Sequence, residues 1–369
     1  PMSIFIFLAI LFVLVLVHEL GHFAVAKWMG MRVDEFGIGF PPKLFGLKRG
    51  ETEYTLNLFP IGGFVKIYGE DGIGDESQRV EPSNDNGRSF TSKSRTAQAL
   101  VLVAGVTMNV LLAWLLFTIA FSIGVRTSVS EAEATDAAVL TITSVLANSP
   151  AEKAELPVGV GITGAVSGDA VLTSLTPSAF SAFVADNGTE EITLTYTKDG
   201  AEHDAVVEPQ TGLIADDTSR AAIGVSLAQI EVVKRSIGRS IIDASAHTIA
   251  STKAVAPGIA MLVYDSIRFK AVCSQVAGPV GIVGLVGEAS AYGFTTLLTF
   301  TAFISLNLAV INILPFPALD GGRLLFVIIE ALKGSPIKAH YAATLNTIGF
   351  FLLIALMVAV TWSDIARLI

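Results

Sequence analysis

Four separate stretches of this chain, residues 4–29, 99–125, 294–314 and 345–362, are apolar for long enough to cross a bilayer. A helix of about 20 residues, rising ~1.5 Å per residue, covers the roughly 30 Å hydrocarbon core. No other feature limits the fold so strongly, because lipid admits only helices and closed barrels, in which every backbone polar group finds a partner within the protein. One oversized soluble core is the alternative, and composition argues against it. Of the 369 residues 52% are hydrophobic and 15% are charged, against about 25% charged in a soluble domain. The first run has no Lys or Arg before it and no small-residue cleavage site after it, so it reads as a span rather than a signal peptide. The 24 basic and 33 acidic residues give a net charge of -9, which argues against nucleic acid as a partner.

Charge and texture organise the connections. Residues 23–96 hold ten Lys/Arg and ten Asp/Glu, residues 126–293 hold ten and nineteen, and residues 321–344 hold three basic residues against Glu330. The first and third connections are thus the basic ones per residue, which places them in the cytoplasm, with the second connection and both termini outside. Residues 53–68 alternate around Pro60-Ile61-Gly62-Gly63 and read as a β-hairpin lying against the membrane. Residues 71–95 read as a mobile polar linker. Short strand-like runs with one helical stretch mark residues 138–209 as a small α+β domain, and residues 236–263 have the spacing of an amphipathic surface helix. The expected segments are a first transmembrane helix over 1–30, a cytoplasmic loop over 31–96, a second helix over 97–125 and the folded domain over 138–209. A membrane-surface segment follows over 230–293, then a third helix with its terminal motif over 294–322 and a fourth over 342–369. The fold class is a polytopic α-helical membrane protein with four transmembrane helices.

Chemistry concentrates where the first apolar run ends, at His18-Glu19-Leu20-Gly21-His22. On a helix, His18 and His22 lie one turn apart on one face and can grip one ion, with Glu19 beside them to take a proton from an activated water. Ionisable groups at the end of a lipid-spanning run are costly and usually functional. A catalytic zinc needs a third protein ligand and an open position. With Cys273 the single cysteine, that ligand is nitrogen or oxygen. His203, His247 and His340 all fall outside the spans, whereas Asp320 closes the third span in the run 312–322, NILPFPALDGG. Pro315 and Pro317 force extended backbone there, and Gly321 and Gly322 permit a tight turn. Asp320 reads either as a helix N-cap or as the third ligand, and the company of the two histidines favours the ligand.

The HELGH motif, together with Asn312, Pro315, Pro317 and Asp320 in the pattern NxxPxPxLDG, resembles the site-2 protease family of intramembrane zinc metalloproteases. Residues 37–45, 59–71, 89–109 and 276–284 resemble its bacterial RseP-type branch. The resemblance implies one zinc per chain held by His18, His22 and Asp320, Glu19 as the catalytic glutamate, and Asn312 holding substrate backbone. It implies a cytoplasmic β-hairpin whose edge, with Gly62, Gly63, Phe64 and Val65, presents substrate as an added strand. Pro315, Pro317 and Asn109 join this implied substrate-binding set, and the outer domain becomes an extracytoplasmic PDZ-like one. It also implies a bacterial inner-membrane location, an active site near the cytoplasmic side and single-span membrane proteins as substrates, of the anti-sigma-factor or remnant-signal-peptide type. The chain departs from the family pattern at Val106, where proline is usual. It also departs in having one PDZ-like unit, in which Glu155 replaces a turn glycine and Val160 an aspartate. The competing readings are a non-catalytic zinc-binding or transport protein, disfavoured because no repeated halves are seen, and a peptide-binding adaptor. The oligomeric state is open.

Overall fold

The computed structural model describes residues 2–70, 87–198, 200–213, 217–267, 277–335, 337 and 339–368. The expected linker lies outside the described residues up to residue 86, as does Cys273. Two compact units are formed, Pro1–Ser122 with Ser236–Ile369, and Ile123–Arg235. The chain opens with α1 (Met2–Trp28), two long strands β1 (Val33–Arg49) and β2 (Thr52–Ile67), a 3-10 turn over Phe90–Ser92 and α2 (Arg95–Ile123). There follow β3 (Val125–Val129), β4 (Val139–Val145), α3 (Pro150–Lys153), β5 (Gly161–Ser167), β6 (Ala170–Val171), α4 (Pro177–Asp186), β7 (Ile192–Lys198), β8 (Ala201–Val207) and β9 (Val225–Val233). The chain ends with α5 (Ile237–Ile267), α6 (Pro279–Ala291), α7 (Phe294–Ile313), α8 (Asp320–Lys333) and α9 (Ala339–Leu368).

Among the described residues four helices are long and apolar enough to cross a membrane: α1, α2, α7 and the His340–Arg367 part of α9. They make the chain a multi-pass membrane protein. Phe350, Phe351, Met357, Val358 and Trp362 on α9 are exposed, a surface suited to lipid rather than water. Several hydroxyls on these helices are satisfied within the helix. Thr118, Ser122, Thr301 and Thr361 each donate to the carbonyl four residues earlier at 2.7–2.8 Å. Small residues let α1 and α2 meet closely. A methyl group at Gly21 would stand 2.5 Å from the Ala104 carbonyl oxygen. Below this contact Ala26, Met31, Val33, Ile67, Phe90, Val101 and Val327 form one buried cluster, which ties the strands to α1, α2 and α8.

The strand element corrects the expected hairpin. The two halves of residues 53–68 do not pair with each other; β2 pairs as a whole with β1, antiparallel, through a turn at Gly50-Glu51 where Gly50 has φ +67°. Both strands bend at their prolines, so residues 35–38 of β1 acquire partners on both sides. On one side Phe36 faces Val65 and Ile38 faces Gly63; on the other Phe36 faces Tyr54 and Ile38 faces Leu56. The outer half of β1 returns along β2, with Gly46 opposite Thr55 and Arg49 opposite Thr52. Alternation along the chain announces strands, but it does not say that another segment will slide between the two arms. Consequently Gly63, Phe64 and Val65 form an edge with a strand partner on one side only among the described residues.

The second unit is a seven-stranded sheet of order β3-β9-β4-β5-β7-β8, with β6 on β5. Leu140, Ile142, Ile162, Ile192 and Leu194 alternate inward along its strands and meet Phe180 and Val184 of α4 in one core. The sheet takes in 125–129 and 225–233, so the unit is wider than residues 138–209. Residues 230–233, expected at the membrane surface, are the end of β9. Glu155 stands at φ +52°, the left-handed conformation that a glycine would adopt without strain.

Candidate metal centre

Three side chains converge on one point. His18 and His22 project from one face of α1. The third residue comes from the break between α7 and α8. There Leu314, Phe316 and Leu319 carry their backbone N–H bonds to Ile311, Leu314 and Phe316, so the irregular turn remains satisfied. Ala318 takes φ +72° in this turn. The glycines are required by space: a methyl at Gly321 would lie 2.2 Å from the Leu314 carbonyl oxygen, and one at Gly322 2.2 Å from that of Phe316. Pro317 packs against α9, where a methyl at Gly349 would meet it at 2.6 Å. The N-cap of α8 is Leu319 rather than Asp320. Asp320 is the first helical residue, and its carboxylate turns to the histidines.

Asp320 Oδ2 lies 2.9 Å from His18 Nε2 and 3.3 Å from His22 Nε2, and the two Nε2 atoms are 3.1 Å apart. Tetrahedral ligands at the ~2.0–2.1 Å of zinc-nitrogen bonds stand about 3.3 Å from one another, so these residues fit such an ion. Their side chains are 8%, 10% and 18% exposed, which leaves a way in on the Asp320 side. There a cavity of about 380 Å³ opens between α8 and α9, bordered by Asp320, Arg323, Asn346 and Phe350. His22 Nδ1 is 2.8 Å from the Val101 carbonyl oxygen, a donor position that leaves Nε2 free to ligate. Glu19 is half-buried beside His18, and the open β2 edge passes it: a methyl at Gly63 would stand 3.7 Å from Glu19 Cγ.

Other expected site residues fall differently. Asn312 is half-buried on α7, its side chain making no hydrogen bond to any described residue, and Pro315 is exposed. Asn109 is wholly buried, with its amide 3.3 Å from His18 Nδ1. His203 stacks on Tyr196 and His247 packs edge-on to Phe117; neither belongs to the cluster. Sequence reasoning missed Gly105. A methyl there would meet His22 Nε2 at 2.4 Å and His18 Nε2 at 2.8 Å, so α2 must be bare at this position for both imidazoles to fit. Spacing puts Val101, Gly105 and Asn109 on one stripe of α2, but the sequence does not say which helix that stripe faces.

The model of peptidase family M50 matches residues 6–356 of this chain. A Clostridium perfringens protein, assigned provisionally by its name to the zinc metalloproteases, is 37% identical over 360 residues, which are 95% of each chain. Zinc metalloprotease RasP of Oceanobacillus iheyensis is 29% identical over 96% of this chain and 97% of its own. The regulator of sigma-W protease RasP of Bacillus subtilis is 27% identical over 99% of both.

Proposed function

The chain belongs to peptidase family M50, and we propose that it is an intramembrane zinc endopeptidase that cuts single-span membrane proteins in or near their transmembrane segments. The observation that carries this reading is the convergence of His18, His22 and Asp320 within 3.3 Å beside Glu19, inside the membrane-compatible helix α1. His18, His22 and Asp320 hold the ion. Zinc, when bound, supplies Lewis acidity toward a scissile carbonyl and a water molecule. Glu19 takes the proton of the attacking water on its carboxylate and delivers it to the leaving amine. Asn312 offers its unpaired amide to the substrate backbone.

A transmembrane substrate hides its amides in its own helix and must unwind before attack. The one-sided edge at Gly63-Phe64-Val65 offers replacement partners beside Glu19, so the unwound segment binds as an added strand. The strand-rich unit Ile123–Arg235, read as a PDZ-like domain on the extracytoplasmic face of a bacterial cell membrane, excludes substrates that retain bulky outer portions. Anti-sigma factors already trimmed outside, or remnant signal peptides, are the substrate classes that fit. The sigma-W regulation in the name of the Bacillus subtilis relative supports the first.

The test is Glu19→Gln in the full chain against a single-span reporter. Zinc content should stay at the parent level while cleavage falls about 10²-fold or more, because the amide accepts no proton. Cleavage at the parent rate would rule out Glu19 as the base, and no cleavage by the zinc-loaded parent would remove the protease reading.

A further inference from the structure

His18 and His22 face α2 through one stripe of it, at intervals of four residues. Val101 offers its carbonyl to His22 Nδ1 at 2.8 Å, Gly105 gives both rings room, and Asn109 ends the stripe with its amide against His18 Nδ1. The first contact has an evident role, since an Nδ1–H held by a carbonyl leaves Nε2 as the metal-facing lone pair. The third has no role as placed. Asn109 Nδ2 is 3.3 Å from His18 Nδ1, while Asn109 Oδ1 is buried without a hydrogen-bond partner among the described residues.

His18 cannot ligate through Nε2 unless its proton sits on Nδ1, and Nδ1–H would then point at a second donor. The two ends of a side-chain amide have the same shape, so hydrogen-bond partners decide which end faces which. Turned end for end, Asn109 presents Oδ1 to His18 Nδ1–H. The clash of donors disappears and the orphaned acceptor gains its partner. Asn109 is also anchored: its backbone carbonyl accepts from Ser305 Oγ of α7 at 2.8 Å, and both residues are fully buried. Through this bond α7, whose end leads into the Asp320 turn, holds the amide that orients His18.

We propose that Asn109 is a positioning residue of the metal centre, whose Oδ1 accepts from His18 Nδ1–H and fixes the tautomer in which Nε2 ligates. This inference rests on the zinc reading above and deepens it. In its place Asn109 does for His18 what the Val101 carbonyl does for His22, so α2 sets both imidazoles while touching neither substrate nor ion.

The experiment uses the full chain in detergent micelles, with zinc affinity measured by competition against a chelator and melting measured without metal. Asn109→Leu removes the acceptor at similar volume. It should weaken zinc binding by about 10- to 100-fold while the metal-free melting temperature stays at or above the parent value. Asn109→Asp keeps an acceptor and loses the amide donor, and it should hold zinc within about threefold of the parent or more tightly. Parent affinity in Asn109→Leu would overturn the proposal. So would an Asn109→Asp variant weakened about tenfold or more, since that result means Nδ2 is the contacting end. If Asn109→Leu fails to fold, Asn109→Asp alone decides by the same criterion. His18→Ala run in parallel separates the two readings: loss of zinc there with full binding in Asn109→Leu sinks this inference alone, whereas parent affinity in His18→Ala sinks the metal site and the inference with it.

Discussion

Gly105→Ala is the smallest change that should disable the centre without touching a ligand. The added methyl would meet His22 Nε2 at 2.4 Å and His18 Cε1 and Nε2 at 2.7 and 2.8 Å. An ordinary contact of this kind is about 3.5 Å, so the shortfall is roughly 1 Å at the nearest atom. The rings have little freedom to swing away. His22 Nδ1 is tied to the Val101 carbonyl at 2.8 Å, and the same stripe of α2 carries Asn109 against His18. The backbone has little more, because Gly21 already brings α1 onto Ala104 and Met108. Overpacking of this kind costs about 1–3 kcal/mol. Placed on the ligand geometry, that is about 5- to 150-fold in zinc affinity. The assay is chelator competition on the purified full chain, with Gly284→Ala as control, since a methyl at that α6 glycine meets nothing within 4 Å. Parent zinc affinity in Gly105→Ala would refute the packing argument, as would an equal loss in Gly284→Ala.

Asp364 of α9 accepts from the backbone N–H of Gly278 at 3.1 Å and of Gly281 at 2.8 Å at the start of α6. Asp364→Ala should therefore cost about 1–3 kcal/mol in unfolding free energy, and Asp364→Asn, which keeps an acceptor, less; equal melting temperatures for parent and Asp364→Ala would contradict this. Hydrogen bonds from Arg88, then from Lys27, hold the Glu51 carboxyl at about 2, down from its ordinary 4.5. The folded-state value is the depressed one, so the stabilisation is whole above about pH 4.5 and is lost as pH falls toward 2. The melting-temperature gap between parent and Glu51→Gln should close over that window, and a gap independent of pH would count against the clamp. Val65→Pro removes the backbone N–H of one residue in the β2 edge strand. It should leave zinc binding intact and slow cleavage chiefly for substrates with stable helices. Equal slowing for substrates already loosened by glycine or proline would speak against strand addition.

How much of this was legible in the sequence follows from how local each signal is. His18 and His22 are four residues apart and need only a helix to meet. The Asp320 turn declares itself through Pro315, Pro317, Gly321 and Gly322, whose backbone limits hold in any context. Gly105 and Asn109 were not legible as parts of the metal centre. Their role depends on how closely α1 and α2 pack, which apolar runs do not encode, and Asn109 meets a partner 91 positions away. The strands show the same division. Alternation over residues 53–68 marks extended chain, but the partner is chosen by tertiary packing, and residues 35–38 take the place between the two arms. In the second unit the strands 125–129 and 225–233 lie outside the turn-punctuated stretch, so a sequence reading stops short of them. Glu155 is the converse case: the family resemblance marked it as a glycine position occupied by glutamate, and its φ of +52° shows the strain.

The central claim is that one zinc sits among His18, His22 and Asp320. X-ray absorption at the zinc edge, on the purified full chain with its metal content measured, tests this most directly. The account predicts one zinc per chain, with two imidazole nitrogens at about 2.0–2.1 Å and light oxygen ligands completing the shell. The same spectrum should persist in Glu19→Gln and be absent from His18→Ala/His22→Ala. A zinc shell without imidazole, or full occupancy retained in the double variant, would contradict it.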